Sequence, residues 1–264
     1  MYIRTDEILV SMDEIATPIL PISCERGNYE EIVKMSGYGA IQPVELLKRY
    51  KTAFPEIGID SYELNGRAKR VHGKRGWTAV NASVYGYDPS QNVGIFQIRQ
   101  SGTGAFGIEV KKSYVLAGMN EDGSMFRHPV SSNAVRGAIR MEAVDPAFVV
   151  KKAQCWMWQC TMRQLELALS YGCRQGDVIM IKIPRPNNLR QIENRIVNIG
   201  GSHELKSDSL FECDEMENSI ISLNPFLLHL KNQHAPVFAP DEGYYSVRLA
   251  REANAWKFGE RIGD

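Results

Sequence analysis

The sequence predicts an α+β protein: a helical and antiparallel-β N-terminal part, residues 1–172, followed by a small C-terminal β-barrel or sandwich, residues 173–264. Apolar residues recur at helical spacing in residues 1–60 and 145–172, whereas short alternating runs between turn residues fill 61–130 and the chain after Gly172. Short gaps between strands favour antiparallel pairing. Because Gly172 can end a helix, the domain boundary is expected there.

Local signals place the helices. Pro43 suits the first position of a helix over Val44–Phe54, and Pro55 ends it. Asp145, just before Pro146, is a typical N-cap and opens a second helical region. That region is expected to break near Thr161.

Strands are predicted wherever the apolar residues alternate or form short runs bounded by turns. The segment from Ser101 to Gly107 contains three glycines, but no helix follows it. A dinucleotide site needs the N-terminus of such a helix, so this segment is predicted to be a hairpin turn. The predicted strands are Ala79–Tyr85, Val93–Gln100, Phe106–Leu116, one after Gly123, Val178–Ile183, Ile192–Ile199, Ser209–Cys213, Ser219–Leu223, Phe226–Leu230 and Tyr244–Ala250.

Composition bounds the class of protein. Lys plus Arg and Asp plus Glu number 31 each, so the net charge is zero and any nucleic-acid contact must come from a local basic patch. The N-terminus lacks a basic, apolar leader, and no apolar run approaches the roughly 18 residues of a membrane span. The expected location is the cytoplasm, without a membrane partner. No sequence feature calls for a cofactor.

The chain has five cysteines and no CxxC pair. An odd number of cysteines that form no compact disulfide framework predicts five free thiols. We interpret all five as small, buried apolar side chains. Cys155 and Cys160 are five positions apart, which suits neither one helix face nor a zinc knuckle.

Three of the five histidines, His203, His229 and His234, lie in the C-terminal third. Imidazoles titrate near neutral pH, so His203 and His234 are candidate acid–base groups, with Lys206 to stabilise developing phosphate charge in metal-independent RNA cleavage. Lys231 is an alternative cation. A structural role and metal binding remain alternatives, although the spacing of His229 and His234 fits no common metal motif, and no metal ligand is assigned.

A second candidate site is a basic segment between residues 65 and 77. Its glycines predict a loop or hairpin, and its cations and tryptophan suit phosphate contacts and base stacking. The alternative is a solvated hairpin whose tryptophan packs inward. The predicted nucleic-acid contacts are Arg67, Lys69, Arg70, Lys74, Arg75 and Trp77.

The C-terminal third also resembles a family of uncharacterised bacterial and phage proteins whose pattern reads approximately GDV, GHxH, HxxHxPI, PxGxY and RE. The corresponding segments here are Gly176–Val178, Gly201–Lys206, His229–Pro236, Gly243–Val247 and Arg251–Glu252. Ser202 replaces the second element's glycine, Leu205 replaces its second histidine, and His229 lies further from His234 than the two histidines of HxxHxPI lie from each other. The resemblance implies a bacterial or phage context and carries no activity.

These observations predict an accessory protein that engages RNA or single-stranded nucleic acid, with phosphodiester cleavage as an extension. One alternative is a protein-interaction or assembly module that uses a surface formed by Trp156 and Trp158. A second is a small metal-dependent hydrolase.

Overall fold

The structure is a computed structural model that describes residues 41–63, 79–104, 107–120, 123–136, 145–212 and 219–251. The helical prediction for residues 1–40 lies outside these ranges. The described part is α+β, as predicted. Its N-terminal elements are helix α1 (Pro43–Ala53), a 3-10 turn (Pro55–Ile57), strands β1 (Ser61–Glu63), β2 (Ala79–Asp88), β3 (Val93–Gly104), β4 (Gly107–Met119) and β5 (Met125–Val130), and helices α2 (Ser132–Arg136), α3 (Pro146–Met157) and α4 (Met162–Ser170).

Strands β1 to β5 form one sheet in chain order. The pairs from β2 to β5 are antiparallel, as the short connections predict, and β1 joins β2 in parallel. Helix α1 buries Leu46, Leu47 and Tyr50 against one face of this sheet. Helix α3 covers the other face, where its Val149 packs in the same core cluster as Tyr85 of β2. The apolar sides of two helices therefore cover the two faces of the sheet.

Helix α3 begins at the predicted cap, Asp145, and α4 begins at a second cap, Thr161, where only a break was expected. The Asp145 carboxylate accepts a hydrogen bond from the Ala147 amide at 3.0 Å. Thr161 and Gln164 form a reciprocal capping box at the start of α4, which confirms the predicted break near Thr161. Gly172 follows α4 in the left-handed region, with φ of 66°, which favours glycine at a helix end.

The C-terminal strands form two open sheets. They are β6 (Arg174–Gln175), β7 (Val178–Ile183), β8 (Arg190–Ile192), β9 (Ile196–Ile199), β10 (His203–Lys206), β11 (Ser209–Glu212), β12 (Ser219–Leu223), β13 (Phe226–His229), β14 (Val237–Phe238) and β15 (Tyr244–Leu249). The four-stranded sheet has the order β14-β13-β10-β9, and the six-stranded sheet β6-β7-β15-β12-β11-β8. The described strands close no barrel, so that part of the prediction is wrong.

One cluster of buried side chains joins these parts. It contains Leu205 and Leu227 from the four-stranded sheet, Val247 from the six-stranded sheet, and Val149 and Leu165 from α3 and α4. The predicted boundary near Gly172 falls inside this shared core and stays a prediction. Within the described ranges, no helix is long and apolar enough to cross a membrane.

The cysteines follow the prediction in part. Cys155, Cys160 and Cys173 are free thiols. Cys173 is buried, but Cys155 and Cys160 are only half-buried, which corrects the interpretation of all five as core residues. Cys24 and Cys213 lie outside the described residues.

Candidate functional site: a histidine cluster and the sheet that holds it

His203 and His229 are directly opposite each other in the four-stranded sheet. His203 opens β10, His229 closes β13, and the antiparallel register pairs them. Side chains of opposed residues share one face of a sheet, and here that face points into the core. The side chains are 0% and 3% exposed. The two rings meet edge to face, with centroids 4.8 Å apart and an interplanar angle of 88°.

The turn after β13 brings His234 back against His229. The amides of Lys231 and Gln233 both donate to His229 Nδ1, at 3.2 and 3.3 Å. A ring nitrogen that accepts carries no proton, so His229 is a neutral imidazole protonated on Nε2. The ring of the half-buried His234 lies 5.0 Å from that of His229, again nearly perpendicular. His229 thus lies between His203 and His234. The centroids of the His203 and His234 rings are therefore no further apart than the sum of the two separations from His229, 4.8 Å and 5.0 Å.

A buried carboxylate lies next to the ring of His203. Asp177, between β6 and β7, is 1% exposed and places Oδ1 3.4 Å from His203 Nδ1. Ser202 Oγ is 3.0 Å from the same nitrogen. A neighbouring carboxylate favours the tautomer with its proton on Nδ1. Asp177 was not predicted as a site residue, although its place between a glycine and an apolar strand is a visible signal.

Hydrogen bonds from neighbouring elements fix this cluster in place. The Asp177 carbonyl accepts from Trp158 Nε1 at 2.9 Å and from the Ala250 amide at 2.8 Å. The buried amide of Gln175 donates to the carbonyl of Ala235, next to His234. Segments that are far apart in the chain thus meet at one place, and the cluster runs from the buried Asp177 to the half-buried His234.

The predicted catalytic residues are not all brought together. His203 and His234 join the same cluster through His229, but His203 has no exposed surface. Lys206 is three positions from His203 on β10, and alternation puts it on the outer face of the sheet. There its Nζ is 3.2 Å from a carboxylate oxygen of Glu204. Lys231, the alternative cation, is exposed in the turn between His229 and His234.

The outer face of the four-stranded sheet carries a row of four side chains that pair across all its strands: Ile196 of β9, Lys206 of β10, Phe226 of β13 and Phe238 of β14. We call these four residues the outer row. Phe226 and Phe238 stack, with centroids 4.2 Å apart and an interplanar angle of 23°. Phe238 is 40% exposed and Ile196 51%. The sequence alone does not reveal this row, because the row depends on the order of the strands in the sheet.

The prediction that Trp156 and Trp158 form a surface for a protein partner is wrong for Trp158, which is 1% exposed and lies in the core. Trp156 is half-buried, and the guanidinium of Arg251 covers its ring at 4.4 Å from the centroid. Arg251 Nε also donates to the Trp156 carbonyl at 2.6 Å. These contacts attach the segment that follows β15 to helix α3. Little surface of either tryptophan is therefore left for a partner to contact.

The predicted basic contacts, Arg67, Lys69, Arg70, Lys74, Arg75 and Trp77, all lie outside the described residues. In the part that the structure describes, no group of three or more His, Cys, Asp or Glu is placed to hold a metal ion. The metal-dependent alternative therefore gains no support from the histidine cluster.

Comparison with protein-family models, curated proteins and solved structures finds no match to this chain. The resemblance of the C-terminal third to a bacterial and phage family accordingly stays a prediction. The geometry does add one relation: residues of three segments in that pattern, Asp177, His203 and the pair His229 and His234, meet in one cluster.

Proposed function

We propose that this protein binds single-stranded nucleic acid, RNA in the first instance, on the outer face of its four-stranded sheet. The observation that carries the proposal is the outer row, in which a lysine separates an exposed isoleucine from a stacked aromatic pair. Proteins that bind unpaired strands combine cations for the phosphates with aromatic rings on which bases stack.

The aromatic pair has the geometry that a base would extend. Its rings are nearly parallel, and Phe238 keeps a large exposed area on the edge strand β14. A base placed on the Phe238 ring would continue the stack, a contact worth about 1–3 kcal/mol. Lys206 lies beside Phe226, and Arg195, just before Ile196, is exposed. One cation of the outer row, Lys206, and one beside it, Arg195, thus lie where a phosphate backbone would pass.

Titration of a short fluorescent oligouridylate by anisotropy tests the proposal. Phe238→Ala should weaken binding about tenfold or more, because one base loses its stacking partner. Lys206→Gln should weaken binding less and lower the salt dependence by about one phosphate contact. Tyr62→Ala is the matched control, since Tyr62 is 38% exposed on β1, in a different sheet.

Unchanged affinity in Phe238→Ala would contradict the proposal, as would absence of binding by the parent protein at low salt. In the second case the outer row is better explained as a contact surface for a protein.

A second candidate function, phosphodiester cleavage, rests on a different observation. His234 is half-buried, so it is the member of the histidine cluster that reaches solvent. Its ring contacts His229, which contacts His203, and His203 in turn lies next to Asp177. We propose His234 as the group that would exchange a proton with a substrate, and His203 as a positioning residue within the buried cluster. The predicted contribution of Lys206 belongs to nucleic-acid binding on the other face.

Incubation of end-labelled RNA with the protein in the presence of EDTA tests cleavage. Parent protein should cut and His234→Ala should lose a hundredfold or more of the rate, while Phe238→Ala should mainly raise the RNA concentration required. Equal rates for the parent and His234→Ala would assign the activity to a contaminant and end this candidate.

A further inference from the structure

Two thiols that the sequence places on different faces of helix α3 meet at its end. The amide of Cys160 donates to the carbonyl of Cys155 at 3.0 Å, and the amide of Gln159 to that of Trp156 at 3.4 Å. Gln159 has φ of 52°, in the left-handed region. These two bonds and this conformation define a Schellman motif, in which the side chains at the positions of Cys155 and Cys160 characteristically touch.

The motif thus brings the thiols of Cys155 and Cys160 side by side, where a hydrogen bond between them shifts the pKa of both. Both side chains are half-buried, so reagents reach them, whereas Cys173 is 2% exposed. Hydrogen bonds from neighbouring elements fix the backbone around these two cysteines. Thr161, the next residue, is the N-cap of α4, and Arg248 Nη1 donates to the carbonyls of Trp158 and Gln159.

We propose that Cys155 and Cys160 form a redox-reactive dithiol that a small-molecule disulfide, such as oxidised glutathione, converts to an intramolecular disulfide. This modification site is independent of the proposed nucleic-acid surface. Closing it demands little backbone movement, because the Schellman motif already brings the two side chains together.

Cys155 is the attacking group. Its hydrogen bond from Cys160 lowers the pKa of the Cys155 thiol, burial opposes this, and Lys152 adds to the lowering. The same hydrogen bond and burial raise the pKa of Cys160. The reactive form of a thiol is the thiolate.

The reaction balances as a double exchange. The Cys155 thiolate attacks one sulfur of oxidised glutathione, breaks its S–S bond and releases one glutathione thiolate. Cys160 then gives its proton to solvent and attacks the Cys155 sulfur of the mixed disulfide. The second glutathione leaves, so the two protein thiols are oxidised and one glutathione disulfide is reduced to two thiols.

Mass spectrometry after mild treatment with oxidised glutathione tests the proposal. Trypsin cuts after Lys152 and Arg163, so one peptide, residues 153–163, contains both cysteines. After the remaining thiols are blocked with iodoacetamide in denaturant, this peptide should lack two hydrogen atoms and carry no alkyl group. The buried Cys173 should be alkylated in the same sample.

Single variants identify the order of attack. Cys160→Ser should accumulate glutathione on Cys155, because the resolving thiol is gone. Cys155→Ser should react at least tenfold more slowly at Cys160, and circular dichroism would verify that both variants fold. The proposal fails if the parent peptide stays fully alkylated, if Cys173 is oxidised as fast, or if the two variants take up glutathione at equal rates.

Discussion

His229 lies directly opposite His203 across β10 and β13, and its ring stands edge-on to that of His203 at 4.8 Å. The same His229 ring accepts two backbone hydrogen bonds from the turn that follows it. One buried imidazole therefore connects the core-facing side of the sheet to the loop that carries His234.

Replacing His229 by alanine should destabilise the protein by about 1–3 kcal/mol, because two amides lose their acceptor inside a buried cluster. Urea unfolding followed by circular dichroism measures this change. His234→Ala is the matched control: the same exchange at a half-buried position should cost less. Equal costs for the two variants would show that the turn does not depend on Nδ1 of His229.

Asp177→Ala should also be destabilising, by about 1–3 kcal/mol, because it removes the carboxylate beside a buried imidazole. Asp177→Asn keeps the size and an oxygen that can accept from His203 Nδ1, and it should retain more of the stability. The free energy of unfolding at neutral pH compares the two. If Asn costs as much as Ala, the charge of Asp177 matters and not its hydrogen bonding.

Gly86→Ala tests how closely α3 lies on the N-terminal sheet. A Cβ on Gly86 would lie 2.6 Å from Cβ of Val149 and 2.9 Å from the Pro146 carbonyl oxygen. The helix would have to move, at a cost of about 1–3 kcal/mol. At Gly94 the nearest atoms are the ends of side chains, at 3.1 Å or more. Gly94→Ala should therefore cost less, and the reverse order in thermal unfolding would contradict this packing.

Elements whose signals are local could be predicted from the sequence. Asp145 and Thr161 cap their helices through residues two or three positions away, so a short window of sequence contains the whole signal. The four longest strands of the N-terminal sheet alternate or run apolar over enough residues to be recognised. Helix α1 was likewise visible from Pro43 and its apolar spacing.

Elements that depend on neighbours could not be predicted. Strand β10 has a single buried aliphatic residue, Leu205, between polar ones, and it forms because β9 and β13 pair with both of its edges. The approach of Asp177 to His203 and the outer row both require the strand order. Cys155 and Cys160 were placed apart by helix periodicity, and the left-handed Gln159 reverses that conclusion.

The last prediction concerns alkaline pH. Burial raises the pKa of Tyr245 from its ordinary 10.0 to about 12, and its hydroxyl donates to the Asp241 carbonyl at 2.9 Å. Burial likewise raises the pKa of Tyr87 to about 12, and its hydroxyl donates to the carbonyl of Ile41. In the unfolded chain these phenols lose their protons near pH 10, about two units earlier than in the folded protein.

The folded state thus holds protons that the unfolded state has released, so the free energy of unfolding falls as pH rises. The contribution of each phenol is fully present below pH 10 and is lost between pH 10 and about 12. Urea unfolding at a series of alkaline pH values should show this fall, and Tyr245→Phe should show a smaller one from a slightly lower starting stability. A fall of the same size in Tyr245→Phe and in the parent would mean that this buried phenol does not contribute.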